Sequence, residues 1–241
     1  MMKRVSLLGI MLGTLLALIV GALPALAQDP CYDRGGFEDE NGRCVIRGGF
    51  DLALHYPAEL SPYPEGDEGM DKFFIEQREM FTDAYFAMLD EPVMFTTMPW
   101  SLNIDYELTG YQGSITTVSI VFTINDYTGG AHPNLYYRTF MFELPGGREI
   151  TLSDLFDDEQ AALEQIAPMV QESLREQLGD MAELSWIEEG AAPDPVNYQN
   201  FALTTSALNF YFPPYQVAAY AAGPYMVELP LGDVIDLLAF E

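Results

Sequence analysis

The chain has 241 residues, of which 37 are acidic and 10 basic, for a formal net charge of −27. Apolar residues make up 49% of it, which supplies a packed core and excludes general disorder. A field of that sign repels nucleic acid and anionic lipid, so neither is expected as a partner, and a cationic protein is the complementary one.

The first stretch in chain order is "MMKRVSLLGIMLGTLLALIVGALPALAQDP". Lys3 and Arg4 form a basic start, an apolar run follows from Val5 to about Val20, and Pro24 breaks it. Ala25-Leu26-Ala27 then offers small residues ahead of Gln28. This pattern predicts a secretory signal peptide over residues 1–27, cut between Ala27 and Gln28. No later run is long and apolar enough to span a bilayer, so no stable membrane insertion is expected after cleavage. Cleavage would remove Lys3 and Arg4 and no acid, taking the charge from −27 to −29. The expected location is secreted or periplasmic.

Cys31 and Cys44 are the only two cysteines, and both follow the signal segment closely. An oxidising compartment makes a disulfide between them the expectation, with residues 28–47 as a stapled N-terminal loop. Closing a loop of that length is worth on the order of 3 kcal/mol through unfolded-chain entropy.

Residues 48–144 read as an N-terminal α+β subdomain. In "GGFDLALHYP", Phe50, Leu52, Leu54 and Tyr56 alternate as a half-buried strand, with His55 on the other face. "PAELSPYPEGDEG" reads as a loop. "MDKFFIEQREMFTDAYFAMLDEP" changes period: Phe74, Gln77, Phe81, Tyr85 and Met88 recur at three and four, widened by Phe73, Met80 and Ala84, which predicts an amphipathic helix. "WSLNIDYELT" and "SITTVSIVFTIN" alternate again around a "GYQG" turn. "DYTGGAHPN" is a loop and "LYYRTFMFEL" a third strand. Such consecutive strands predict an antiparallel meander, wet on one face.

Residues 145–241 read as a C-terminal subdomain. "DDEQAALEQIAPMVQESLREQLG" is a helix started by Asp157 or Asp158 and stopped by Gly179. Pro168 within it predicts a kink or a frayed first half. "EEGAAPDPVNYQ" reads as a loop, "NFALTTSALNFYFPP" as a hairpin, "YQVAAYAAG" as a crossing segment, "PYMVELP" as a strand and "LGDVIDLLAF" as a closing helix. The fold class is α+β: an antiparallel sheet, meander plus C-terminal hairpin, with helices packed on one face.

Few chemistries have a signal. No nucleophile elbow and no phosphate-binding glycine loop occurs. The cysteines are taken up by the disulfide and the two histidines sit in separate elements, so no metal site and no cofactor is expected. His132, in "YTGGAHPN", is the one candidate for catalysis, as a base beside a nearby carboxylate. Its flanking residues argue for a loop-shaping role instead: Gly129 and Gly130 allow positive φ, and Pro133 holds Ala131-His132 extended. "FYFPPYQVAAYAAGPY" carries Tyr211, Tyr215, Tyr220 and Tyr225 among prolines and small residues. It reads either as a packed crossover or as an aromatic lip beside "TGGAHPN", with Tyr215 and Tyr220 as the binding candidates.

Three stretches together, "YTGGAHPN", "GGREITLSDLF" and "FALTTSALNFYFPPYQVAAYAAGPYMVELPLGDVIDLL", resemble the extracellular-domain family of RsiV, the lysozyme-sensing anti-sigma factor. The same domain of unknown function is found ahead of the catalytic domain in PdaC-type peptidoglycan deacetylases. The resemblance covers nearly all of the chain past about Gly48. It implies that the glycine-histidine loop belongs to the fold between two strands. The chain shows no anti-sigma segment and no deacetylase domain. The expected function is therefore a non-catalytic binding or sensing module of the cell envelope, for a cationic protein such as lysozyme or for cell-wall glycan. The alternative is a cell-wall-associated hydrolase using His132 and a nearby carboxylate.

Overall fold

A computed structural model describes residue 31 and residues 36–47, 49–60, 63–89 and 98–240. The predicted signal segment and its cleavage site at Ala27-Gln28 lie outside these residues. A seven-stranded sheet runs in the order β1 (Phe37–Glu38), β2 (Cys44–Arg47), β3 (Phe50–Leu54), β4 (Trp100–Gln112), β5 (Thr116–Tyr127), β6 (Asn134–Leu144) and β7 (Arg148–Glu149). All neighbours are antiparallel except β3 and β4, which run parallel with Leu52 opposite Leu102. A parallel pair needs a long crossover, and helix α1 (Pro64–Leu89) lies within it. The expected meander is β4-β5-β6, with Ile104 opposite Ile124 and Ile124 opposite Tyr136. β4 continues through "GYQ", so the turn falls after Gln112 and not at Gly110.

Alternation sorts the meander onto two faces. Leu102, Ile104, Ile120, Phe122, Ile124, Phe140 and Phe142 join the core under α1, whereas Met141 joins the opposite core. Aromatic rings fill the α1 side: Phe73 lies 4.8 Å from Phe122, Phe74 4.1 Å from Tyr56, and Phe81 5.7 Å from Phe50. The helix begins at Pro64, well before the expected loop ends. Proline suits a first helical turn, and Glu65 and Asp67 complement the exposed N–H groups there. Met80 is exposed, not part of the buried stripe. Burial in the second half of α1 narrows to the line of Phe81, Tyr85 and Met88.

The other face of the sheet is wet only in part: Asp105 and Glu107 are exposed, whereas Thr117, Ser119 and Thr139 are buried. A second sheet of β8 (Phe201–Leu203), β9 (Ala207–Phe212) and β10 (Tyr225–Pro230), in the order β10-β9-β8, lies against it. Hydroxyls make the junction: Phe201 N–H donates to Thr139 Oγ1 at 2.9 Å and Leu203 N–H to Ser119 Oγ at 3.3 Å. Short polar side chains that alternation reads as solvent-facing thus satisfy the edge of β8.

Helices α2 (Leu152–Leu155), α3 (Glu159–Leu178), α4 (Leu184–Gly190) and α5 (Leu231–Val234) gather on this second core. Asp158 caps α3 by accepting Ala161 N–H at 3.0 Å, and Gly179 stops it. The helix runs unbroken through Pro168, and Leu163, Ile166, Val170 and Leu174 on both sides of the proline are buried. Tertiary packing overrides the local cost of that residue. Two further readings are corrected: "EEG" ends helix α4 where a loop was expected, and "PVN" forms a 3₁₀ turn. The closing helix is only α5 followed by a 3₁₀ turn at Ile235–Leu237.

Candidate functional site

Between β9 and β10 the chain makes a tight turn over Pro213-Pro214-Tyr215-Gln216, closed by Gln216 N–H to Pro213 O at 3.2 Å. Tyr215 has φ 73° and is the one non-glycine residue with positive φ among the described residues. Proline followed by positive φ is the signature of a type II turn, where glycine or asparagine normally holds the second position. A tyrosine there costs about 1–2 kcal/mol of backbone strain. It is also 58% exposed, so the ring gains little from burial.

Tyr215 does not stand alone. Its ring lies 5.5 Å from that of Tyr220, and Tyr220 stacks on His132 at 3.7 Å with 17° between planes. Tyr220 Oη donates to Pro133 O at 2.7 Å, and His132 Nδ1 lies 2.9 Å from the same oxygen. A carbonyl can only accept, so Nδ1 carries a proton and Nε2 of the neutral ring is left as an acceptor. Gly129 and Gly130 have φ of 94° and 114°, which shapes the loop that presents His132. The structure therefore brings the three sequence-predicted residues together. Tyr220 and His132 form a buttress, with Tyr220 Oη and His132 Nδ1 both on Pro133 O, and Tyr215 is the outer ring. The same segment also contains the packed crossover: Val217 and Ala218 are buried.

On Tyr215 borders a cavity of about 300 Å³, lined also by Trp186, Glu189, Gly190, Asn197 and Gln216. Gly190 is required here, because a Cβ on it would stand 1.9 Å from the backbone oxygen of Gln216. Gln216 Nε2 donates to Gly190 O at 2.9 Å and Asn197 O at 3.0 Å. Asn197 Nδ2 donates to Glu189 O at 3.1 Å and Ala192 O at 3.2 Å. Both amides have thus spent both protons on carbonyls. The orientation of each is fixed, since a flipped amide would set oxygen against oxygen. Next to Asn197 in the chain, buried Tyr198 donates to Ala191 O at 2.9 Å, and burial pushes its phenol well above the usual range. Sequence reading did not single out Trp186, Glu189, Asn197 or Gln216. They come from a short helix, a 3₁₀ turn and a β-turn that only the fold joins. The one local sign was the Pro-Pro-Tyr turn.

Among the described residues the histidine that reaches a carboxylate is His55, 3.7 Å from Asp105, not His132. Cys31 and Cys44 form a disulfide. No helix of the described residues is long and apolar enough to cross a membrane.

These features define a two-sheet α+β domain whose C-terminal half carries a strained aromatic turn beside an amide-lined cavity. Residues 153–232 match the family model of DUF3298, "protein of unknown function". A crystal structure of a DUF3298 family member from Bacteroides fragilis shares the fold. Its TM-score is 0.52 at 19% identity, covering 83% of this chain and 87% of that one. Immunogenic protein MPT64 of Mycobacterium tuberculosis is 27% identical over 98% of this chain and 100% of its own length. Esterase Rv3036c of the same organism is 26% identical over 90% of this chain and 92% of its own. Peptidoglycan-N-acetylmuramic acid deacetylase PdaC of Bacillus subtilis is 29% identical over 78% of this chain, but over only 39% of its own length.

Proposed function

We propose that the chain is an extracytoplasmic, non-catalytic binding module that captures a cationic protein such as lysozyme through the lip formed by Tyr215, Tyr220 and His132. The carrying observation is Tyr215, an exposed aromatic ring held at φ 73° in a position that favours glycine. Strain retained at a solvent-facing ring has no stabilising use in the fold, and such outliers cluster at ligand contacts. The signal-like N-terminus, the disulfide and the acidic balance support an exported protein that steers a cation. The test is capture of lysozyme, with insoluble peptidoglycan as a second arm, by the mature chain and by Tyr215→Asn. Asparagine keeps the turn and removes the ring. Capture that weakens in the variant supports the reading. Equal capture by both proteins counts against it.

A hydrolase reading has one specific support, the likeness to an esterase over nearly the whole chain. It needs His132 as a base with a carboxylate beside it. In the geometry described, Nδ1 is turned to Pro133 O and the ring face to Tyr220. Turnover of a chromogenic ester that is abolished by His132→Ala, with the melting temperature unchanged, would favour this reading over binding.

A further inference from the structure

We propose that the cavity beside Tyr215 is a receptor for a single guanidinium group, an arginine side chain of the cationic protein. This deepens the binding reading above and rests on it. Because the amide protons of Gln216 and Asn197 are all spent on backbone carbonyls, what those side chains can turn inward is carbonyl oxygen. Glu189 also lines the cavity, and its side chain ends in a carboxylate, an acceptor only. The Tyr215 hydroxyl can play either part. The cavity's polar side chains are therefore biased to accept, and they call for a group made of donors.

Trp186 and Tyr215 are the aromatic residues that line the cavity, and aromatic rings attract a cation and suit a flat one. A guanidinium is planar, always charged, and carries five donors and no acceptor, so it answers both requirements. A carboxylate or phosphate would meet oxygen on several sides. The charge of this stretch of chain agrees: from Glu176 to Phe240 there are nine acidic residues and no lysine, arginine or histidine. The cavity of about 300 Å³ accommodates one side-chain head and not a folded element. Its walls are pre-set: Gly190 admits the close crossing of Gln216, and each amide is locked by two bonds.

The experiment titrates the mature chain with an acetylated tri-arginine amide. The same peptide with citrulline in place of arginine, and a glucosamine oligomer, serve as comparisons. The readout is tryptophan fluorescence, since the only other tryptophan, Trp100, is buried. Expected are quenching by the arginine peptide at a dissociation constant at least about tenfold below that of the citrulline peptide, and a loss of about two- to fivefold in Glu189→Gln. Citrulline binding as well as arginine, or Glu189→Gln and Tyr215→Asn both binding unchanged, overturns the assignment. Tighter binding of the glucosamine oligomer than of the arginine peptide also overturns it, in favour of an amino sugar. Lysozyme capture is run in parallel. If Tyr215→Asn loses lysozyme while the citrulline exchange and Glu189→Gln change nothing, the binding module stands and the guanidinium receptor falls. If arginine selectivity holds but neither lysozyme nor peptidoglycan is captured, the receptor stands and the wider reading falls.

Discussion

Tyr215 holds a backbone conformation that asparagine adopts with less strain and that glycine adopts freely. Replacement by asparagine should therefore raise stability, by about 0.5–1 kcal/mol. Glycine should come out near neutral, because its gain in the turn is offset by a looser unfolded chain. Thermal melts of the two variants check this, and a Tyr215→Asn protein that melts well below the parent would show that the ring is structural. Tyr198 is the contrasting tyrosine, fully buried with its hydroxyl on Ala191 O. That carbonyl also accepts Gln171 Nε2 at 3.0 Å. Tyr198→Phe thus leaves it partnered, and the expected cost is at the usual hydrogen-bond level of about 0.5–1.5 kcal/mol. Burial raises the Tyr198 phenol above its ordinary value of 10, and raises those of Tyr106 and Tyr136 to about 12. The unfolded chain loses these protons first, so their contribution is complete below pH 10 and falls as the pH rises from there. Urea midpoints should drop above that point, and drop less in Tyr198→Phe.

At the scale of elements, Gly190 is where α4 and the Pro-Pro-Tyr turn touch. Gly190→Ala would set a Cβ against the carbonyl oxygen of Gln216 and force that backbone away. Overpacking of this kind costs about 1–3 kcal/mol, which for a chain of this size lowers the melting temperature by roughly 2–12 °C. A variant that melts like the parent would contradict the described crossing. What was legible in the sequence was periodic. β4, β5 and β6 announced themselves by alternation, α3 by its Asp158 and Gly179 ends, and β8-β9 as a hairpin over "NFALTTSALNFYFPP". Three things were not legible. "PEGDEG" carries two glycines and a proline and looks like a loop, yet it opens α1 because Phe73 and Phe74 lock the helix onto the sheet. α4 has only seven residues, too few for a stripe, and Ile187 anchors it in the second core. Thr139 and Ser119 look like solvent-facing strand residues, because their partners, the N–H groups of Phe201 and Leu203, lie 62 and 84 residues on. The candidate site divides the same way. The Tyr215, Tyr220 and His132 row was visible as an aromatic run beside a glycine loop, whereas the cavity needed the fold.

At the scale of the whole molecule, negative charge dominates. Several of the cations are taken up locally, Arg43 by Asp39 at 2.8 Å, Arg148 by Glu143 at 2.9 Å and Arg175 by Glu172 at 3.0 Å. Exposed pairs of this kind are each worth about 0–1 kcal/mol, so they do not offset the repulsion among the remaining carboxylates. Stability should accordingly rise with salt up to a few tenths molar, as repulsion over distances beyond about 10 Å is screened. A denaturation midpoint indifferent to salt would contradict that balance. The same field would make the proposed capture of a cation fast and salt-sensitive, with the proposed lip and cavity as the specific contact. Calorimetric titration of lysozyme into residues 28–241 and into the same segment carrying Tyr215→Asn, at about 20 mM and about 300 mM ionic strength, measures the proposed capture itself. The account predicts binding by the parent that weakens at high salt, and loss of most of that binding in a variant at least as stable as the parent. Equal binding by the two proteins, or no heat from the parent at low salt, would contradict it.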